Sequence, residues 1–221
     1  MWKPESLGQA AWIDSGNAWS VRAPGGEDGI QVVDGAIEVR CLPTGKSTLP
    51  IASEQFVRGD QWHITYPQGD GEFAVETVYR VVTSTANQLI LEVTYAVQTD
   101  RLDSHPTLDL VSEGDGYRCV TPAGAELTGA ESDIGASAIT EVMNGDVSVS
   151  ILLGPRDYPF TLDLSDDNQI RLRLFGDFLE KGVIRKARPW IVIERGDDAG
   201  NDDRLTEIWR QLCESPLPLT A

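Results

Sequence analysis

The sequence predicts an all-β fold, a large antiparallel two-sheet sandwich with one C-terminal helix. Three observations carry this expectation. Residues 72–99 (EFAVETVYRVVTSTANQLILEVTYAVQT) hold two long runs of alternating apolar and polar side chains, the pattern of half-buried strands. Turn dipeptides recur between shorter alternating runs, at Asp34-Gly35, Gly59-Asp60 and Asn144-Gly145, and such dipeptides connect hairpins. Helical spacing of apolar residues is confined to the C-terminal end, so there is no βαβ rhythm and no basis for a parallel sheet.

In chain order, residues 12–13 and 18–22 read as short strands around Ser15-Gly16-Asn17, and residues 24–29 as a loop. Residues 30–40 form a hairpin over Asp34-Gly35, and residues 42–50 a loop. Residues 55–66 form a second hairpin over Gly59-Asp60, and residues 67–71 a turn. Then comes the central hairpin. Val75, Thr77, Tyr79 and Val81 share one face of its first strand, and Leu89, Leu91, Val93 and Tyr95 one face of the second. A one-residue slip would turn either set outward. A three-residue loop Thr85-Ala86-Asn87 satisfies both sets, pairing Ser84 with Gln88 and setting Arg80 opposite Glu92. The other face (Glu76, Arg80, Glu92, Thr94, Gln98) is polar, and it faces solvent or lines a groove.

Residues 100–131 read as a long irregular excursion with short strands at 107–111 and 116–120. Residues 137–143 and 147–153 pair around Asn144-Gly145, and residues 160–164 and 169–175 around the turn 165–168. Strands at 179–187 and 190–194 follow, parted by Pro189. In residues 203–213, Leu205, Ile208, Trp209 and Leu212 recur at helical spacing and should face the sheet. Asp202 or Asp203 can cap that helix. No internal repeat or composition shift marks a second domain, and sandwiches of 221 residues are commonly one domain.

Eighteen basic and 35 acidic side chains give a net charge of −17. That field repels nucleic acid and anionic membranes, so neither is expected as a partner. Cys41, Cys119 and Cys213 have neither metal-ligand spacing nor a disulfide framework. The N-terminus shows no basic region followed by an apolar run, and no stretch reaches membrane-spanning length. The expectation is a cytoplasmic protein without cofactor or metal.

Several motifs give way to plainer explanations. Pro43 to Thr48 (PTGKST) imitates half a phosphate loop. Arg40 stands where its first glycine belongs, and Pro50 interrupts the helix it needs. Arg58-Gly59-Asp60 reads as a hairpin turn rather than an adhesion tripeptide. Acidic pairs at 100 and 103, 166–167, 197–198 and 202–203 fit turns and caps, and none matches the calcium loop. There is no GxSxG and no HExxH. One stretch, residues 175–190 (FGDFLEKGVIRKARPW), concentrates basic residues in this acidic chain, with Arg171 and Arg173 just before it. Arginine forks match carboxylates, so this stretch suits an acidic or neutral sugar, unless cross-strand acids neutralise it.

The long strands ending in Gln98-Thr99-Asp100-Arg101-Leu102-Asp103-Ser104, with LEKGVIRKARPW at 179–190, resemble the galactose-mutarotase-like β-supersandwich. That fold serves many sugar-binding proteins and domains of polysaccharide-active enzymes. The resemblance covers residues 30–195 and implies a sandwich whose concave face holds carbohydrate. In mutarotases a histidine acid and a glutamate base open and close the sugar ring. This chain lacks their histidine signatures, which leaves His63, His105 and Glu180 as stand-ins.

Three functions are therefore expected in turn. The first is a non-catalytic or weakly catalytic carbohydrate-binding protein using Trp62, His63, Arg80, Glu92, Arg173, Glu180 and Arg188. The second is a sugar epimerase or mutarotase with a histidine acid and a carboxylate base, which must meet at one bound sugar. The third is a structural or interaction module, whose face would be filled by Arg–Glu ladders beside a large apolar patch.

Overall fold

The computed structural model describes residues 1–14, 17–34, 37–43, 48–69, 72–122, 136–196 and 199–216. The strands are β1 (Trp2–Ser6), β2 (Gln9–Asp14), β3 (Asn17–Arg22), β4 (Gly25–Gly26), β5 (Ile30–Asp34), β6 (Ile37–Pro43) and β7 (Leu49–Ile51). They continue with β8 (Glu54–Arg58), β9 (Gln61–Tyr66), β10 (Ala74–Ser84), β11 (Gln88–Gln98), β12 (Thr107–Glu113) and β13 (Asp115–Val120). The last are β14 (Ile139–Asn144), β15 (Val147–Leu152), β16 (Leu162–Asp163), β17 (Gln169–Phe175), β18 (Ile184–Ala187) and β19 (Trp190–Arg195), before helix α1 (Asp202–Glu214). Parts of the turns expected at 15–17, 34–35 and 67–71, the phosphate-loop imitation at 44–47, the last part of the excursion (123–131) and the acidic pair 197–198 lie outside the described residues.

Two antiparallel sheets face each other. The first runs β1-β2-β3-β5-β6-β12-β17-β16, and the second β13-β14-β15-β19-β11-β10-β9-β8, with β18 extending β19 along β11. A small third sheet pairs β4 with β7 where the sequence suggested only loops. Both long edges are tied. On one side the Gln55 amide accepts from the Gly8 N–H (3.0 Å) and donates to the Ser6 carbonyl (2.8 Å), joining β8 to the end of β1. On the other, Gly114 and Tyr117 donate to the carbonyls of Asn168 and Asp167 (2.9 Å each), and the Tyr117 hydroxyl donates to Asp163. These ties cover parts of strand edges that would otherwise stand open.

The core lies between the sheets. Trp2 of the first sheet packs on Trp62 (5.5 Å between ring centres) and Tyr79 (6.3 Å) of the second, and Trp12 meets Trp2 edge-on at 5.5 Å. Tyr66 donates its hydroxyl to the Ala23 carbonyl at 2.8 Å. Burial pushes the Cys41 thiol and the Tyr66, Tyr79 and Tyr95 phenols up, so all four stay neutral in the core.

In the central hairpin Arg80 does lie opposite Glu92, and Tyr79, Leu91 and Tyr95 are in the core with Val81 packed against it. The turn differs from expectation. Ser84 pairs with Leu89, because the register shifts between Val81 and Thr83. Thr85 N–H donates to the Gln88 carbonyl at 2.8 Å, so the loop is shorter by a residue and a bulge restores the facing. Two further strands depart from the expected pattern. β1 gave no alternating signal because only Trp2 turns inward. β12, taken as part of an excursion, is a buried central strand between β6 and β17.

Helix α1 lies on the outer face of the second sheet, with Leu205, Ile208, Trp209 and Leu212 buried as their spacing predicts. Asn201, rather than an aspartate, caps it, its side chain accepting from the Arg204 N–H at 3.0 Å. Thirteen residues make a marginal helix in water. Burial of its apolar stripe, about 1.5–3 kcal/mol per large side chain, holds it in place.

Candidate functional site

The residues chosen from sequence separate onto different surfaces. Trp62 is wholly buried between the sheets. This corrects its placement on a ligand face: along β9 it shares the inward side with Ile64 and Tyr66. Arg173 belongs to the other sheet, where it and Arg171 both bind the buried Asp109 carboxylate at 2.8 Å. Glu180 sits in an exposed turn closed by Val183 N–H to the Glu180 carbonyl at 3.1 Å. His105 rests edge-on against Phe178 (5.9 Å), with Nδ1 3.3 Å from the Gly176 carbonyl. His63 points outward from β9, stacked on Phe56 at 4.6 Å with Nδ1 3.7 Å from Glu76 Oε1.

Three chosen residues do converge. Arg80 donates from Nε and Nη2 to the two oxygens of Glu92 (3.1 and 2.8 Å), and Arg188 Nη1 stands 3.6 Å from the same carboxylate. The Trp190 indole N–H adds a fourth donor at 3.0 Å. Hydrogen bonds to Glu92 raise the Arg80 guanidinium above its ordinary value. The pattern repeats across the sheet. Arg118 clasps the fully buried Glu141, and also reaches Asp202 (2.7 Å) and the Gly200 carbonyl (2.6 Å) at the start of α1. Arg204 of the helix pairs with the buried Glu194 at 3.0 Å. Arg188 donates to the carbonyls of Leu212 (3.2 Å) and Pro216 (2.7 Å) at the end of the helix. These arginines pin α1 to the sheet at both ends and fill the face that the sequence reading offered to a sugar.

The open space is elsewhere. At one end of the sandwich, where β17 and β18 diverge, a cleft of about 320 Å³ opens between the sheets. The end of β17 supplies Leu174 and Phe175, the β18 region supplies Asp177, Arg185, Lys186 and Ala187, and the segment 156–161 closes it with Arg156, Asp157, Phe160 and Thr161. Phe175 has a φ of 65° and precedes Gly176 at 104°. This left-handed kink ends β17 and turns the chain across the cleft, and a non-glycine residue held so carries about 1–3 kcal/mol of strain, a feature concentrated at functional sites. Phe160 is 69 % exposed at the mouth. Neither His63 nor His105 lines the cleft.

Asp157 lies at the base of the cleft, where its Oδ2 accepts from the Arg188 N–H at 3.3 Å. Burial pushes its carboxyl above the usual range, against the smaller opposing effect of Arg188. A raised folded-state value means that the stability linked to this group is fully present below the ordinary carboxyl value. It is lost as pH rises through the folded value. Asp157→Asn therefore raises the melting temperature at pH 7 and leaves it unchanged at pH 3. An equal effect at both pH values contradicts this.

A second hollow, lined by Glu113, Gly114, Asp115, Asn144, Asp166, Asn168 and Gln169, is more open and acidic. Among the described residues no three His, Cys, Asp or Glu side chains are grouped to hold a metal. No helix among them is long and apolar enough to cross a membrane.

The basic stretch in the sequence thus led to Phe175, Arg185 and Lys186 of the cleft but not to its other wall. Arg156, Asp157 and Phe160 come from GPRDYPF at 154–160, whose signal was an Arg-Asp pair followed by two aromatics on either side of Pro159. The sequence matches no protein-family model and no curated protein.

Proposed function

We propose that this protein is a non-catalytic carbohydrate-binding β-sandwich that takes its ligand in the end cleft. The observation that carries this reading is the cleft's composition: aromatic Phe160 and Phe175 beside Arg156, Asp157, Asp177 and Arg185 in about 320 Å³. That volume lies at the small end of ligand sites and suits one or two sugar rings. A sugar presents C–H faces that pack on aromatic rings and hydroxyls that need donors and acceptors together. The resemblance to the galactose-mutarotase-like β-supersandwich favours the same ligand class. The cleft is at the sandwich end rather than on the concave face, and its lining holds no histidine, so ring-opening acid–base chemistry finds no support there.

A glycan array followed by calorimetry tests the proposal. A mono- or disaccharide binds, and Phe160→Ala weakens it about tenfold, equivalent to about 1.4 kcal/mol, without lowering the melting temperature. Phe160→Ala binding unchanged contradicts the cleft as the site. Two observations favour a second reading, a protein-interaction module: Arg–Glu pairs fill the outer face of the second sheet, and Phe160, Phe178, Val183 and Ile184 are exposed. An array with no binder, together with capture of a protein partner that Phe160→Ala and Phe178→Ala abolish, would select it.

A further inference from the structure

We propose that β8 is a docking edge for a second copy of this chain, the two β8 strands pairing antiparallel about a twofold axis at Phe56. Four strands end the two large sheets: β1, β16, β13 and β8. Three of them are blunted. β1 carries Pro4, which cannot donate to a neighbouring strand, and its register breaks between Pro4 and Ser6. β16 has only two residues. β13 is bulged between Asp115 and Arg118, and its Tyr117 N–H is taken by the Asp167 carbonyl. β8 has none of these devices. Its five residues pair with β9 in unbroken register, and the Gln55 tie to Ser6 and Gly8 is made by the side chain, which leaves the strand backbone out of it. Phe56 and Val57 are 45 % and 39 % exposed, the profile of an edge that accepts a further strand.

The order of residues along β8 specifies the occupant. Glu54, Phe56 and Arg58 share the outward face with His63, the register partner of Phe56. In a twofold antiparallel pair centred on Phe56, Glu54 of each copy stands opposite Arg58 of the other, and the two Phe56 rings meet. Directly opposed residues have Cβ atoms about 4.5–5.5 Å apart, close enough for two ion pairs and an aromatic contact. Neither Glu54 nor Arg58 has an ion pair or side-chain hydrogen bond among the described residues, so both are available. A slide of two residues either way sets Glu54 opposite Phe56 or opposite Asp60 and loses both ion pairs. An acid at one end and a base at the other is what self-complementary pairing of identical strands requires. Two copies of net charge −17 repel each other at a distance, and a five-residue pairing is a small interface, so the dimer is weak and dissociates on dilution.

Sedimentation equilibrium of the full chain at pH 7 tests this. The unmodified chain dimerises at about 100 µM and is monomeric at about 1 µM, as suits a small interface. Glu54→Arg and Arg58→Glu, made singly, each weaken self-association about tenfold, because like charges then face each other. The melting temperature is unchanged, since both side chains are exposed. Mixing the two single variants restores the dimer, because a wholly basic edge then meets a wholly acidic one. The double variant self-associates like the unmodified chain. An unmodified chain that stays monomeric at about 100 µM overturns the proposal. A dimer indifferent to both single reversals, or single variants that fail to recover on mixing, overturns the β8 pairing. Amide hydrogen exchange on the unmodified chain gives a reading that needs no variant. The amides of residues 54–58 exchange more slowly in the concentrated sample than in the dilute one, and equal rates overturn the proposal.

Discussion

Arg118→Ala lowers the unfolding free energy by about 3–5 kcal/mol, the cost of leaving a buried charge without its partner. Glu141 is 0 % exposed, and its other side-chain partner is the Ser150 hydroxyl at 3.2 Å. The truncation also releases Asp202 and the Gly200 carbonyl, so the start of α1 loses its tie to β13. For a chain of this size each kcal/mol shifts the melting temperature by about 2–4 °C, so a fall of about 10 °C is expected by scanning calorimetry. Arg210→Ala is the control. Its pair with Glu207 spans one helical turn at 3.2 Å with both side chains largely exposed, and such pairs contribute about 0.2–1 kcal/mol. Equal, small effects for the two variants would contradict the view that arginines pin the helix to the sheet.

Trp62→Ala is the second large effect, about 3–5 kcal/mol for loss of a large core aromatic. Its ring fills the space between Trp2 (5.5 Å) and Tyr79 (5.1 Å), so removal leaves a cavity where the two sheets meet. Trp62→Phe retains much of the packing and loses less. Denaturant unfolding gives the stability change, and calorimetry on the folded fraction gives ligand affinity. Affinity is unchanged, because Trp62 lies in the core and the cleft is at the end of the sandwich. A variant of normal stability that loses ligand would return Trp62 to a binding role.

The fold was largely legible, because alternation and turn dipeptides report local physics. β9 and the first half of β10 bury alternate residues, β14 and β15 flank the Asn144-Gly145 turn, and α1 buries the stripe that its spacing marks out. The missed features are those in which the environment overrides pattern. β1 is an edge strand with a single inward residue, and β11 is buried on both faces, so its polar side is neither groove nor solvent. Trp62 and His63 alternate on one strand and therefore point to opposite sides. Choosing both for one ligand face ignored the period of two. Arg80, Glu92 and Arg188 were legible as charges, but their mutual neutralisation depends on a β10–β11 register and a β18–β19 turn that meet only in three dimensions. The cleft was half legible for the same reason: one wall is a continuous basic stretch, whereas the other is a loop about 20 residues earlier in the sequence.

The most direct measurement of the cleft assignment is a backbone amide shift map recorded during titration with the tightest sugar found on the array. The assignment predicts shifts concentrated at Arg156, Asp157, Phe160, Phe175, Asp177, Arg185 and Lys186, with His63, Arg80 and Glu92 undisturbed. Shifts centred on His63, Arg80 and Glu92 instead, with the residues of the cleft silent, would contradict it.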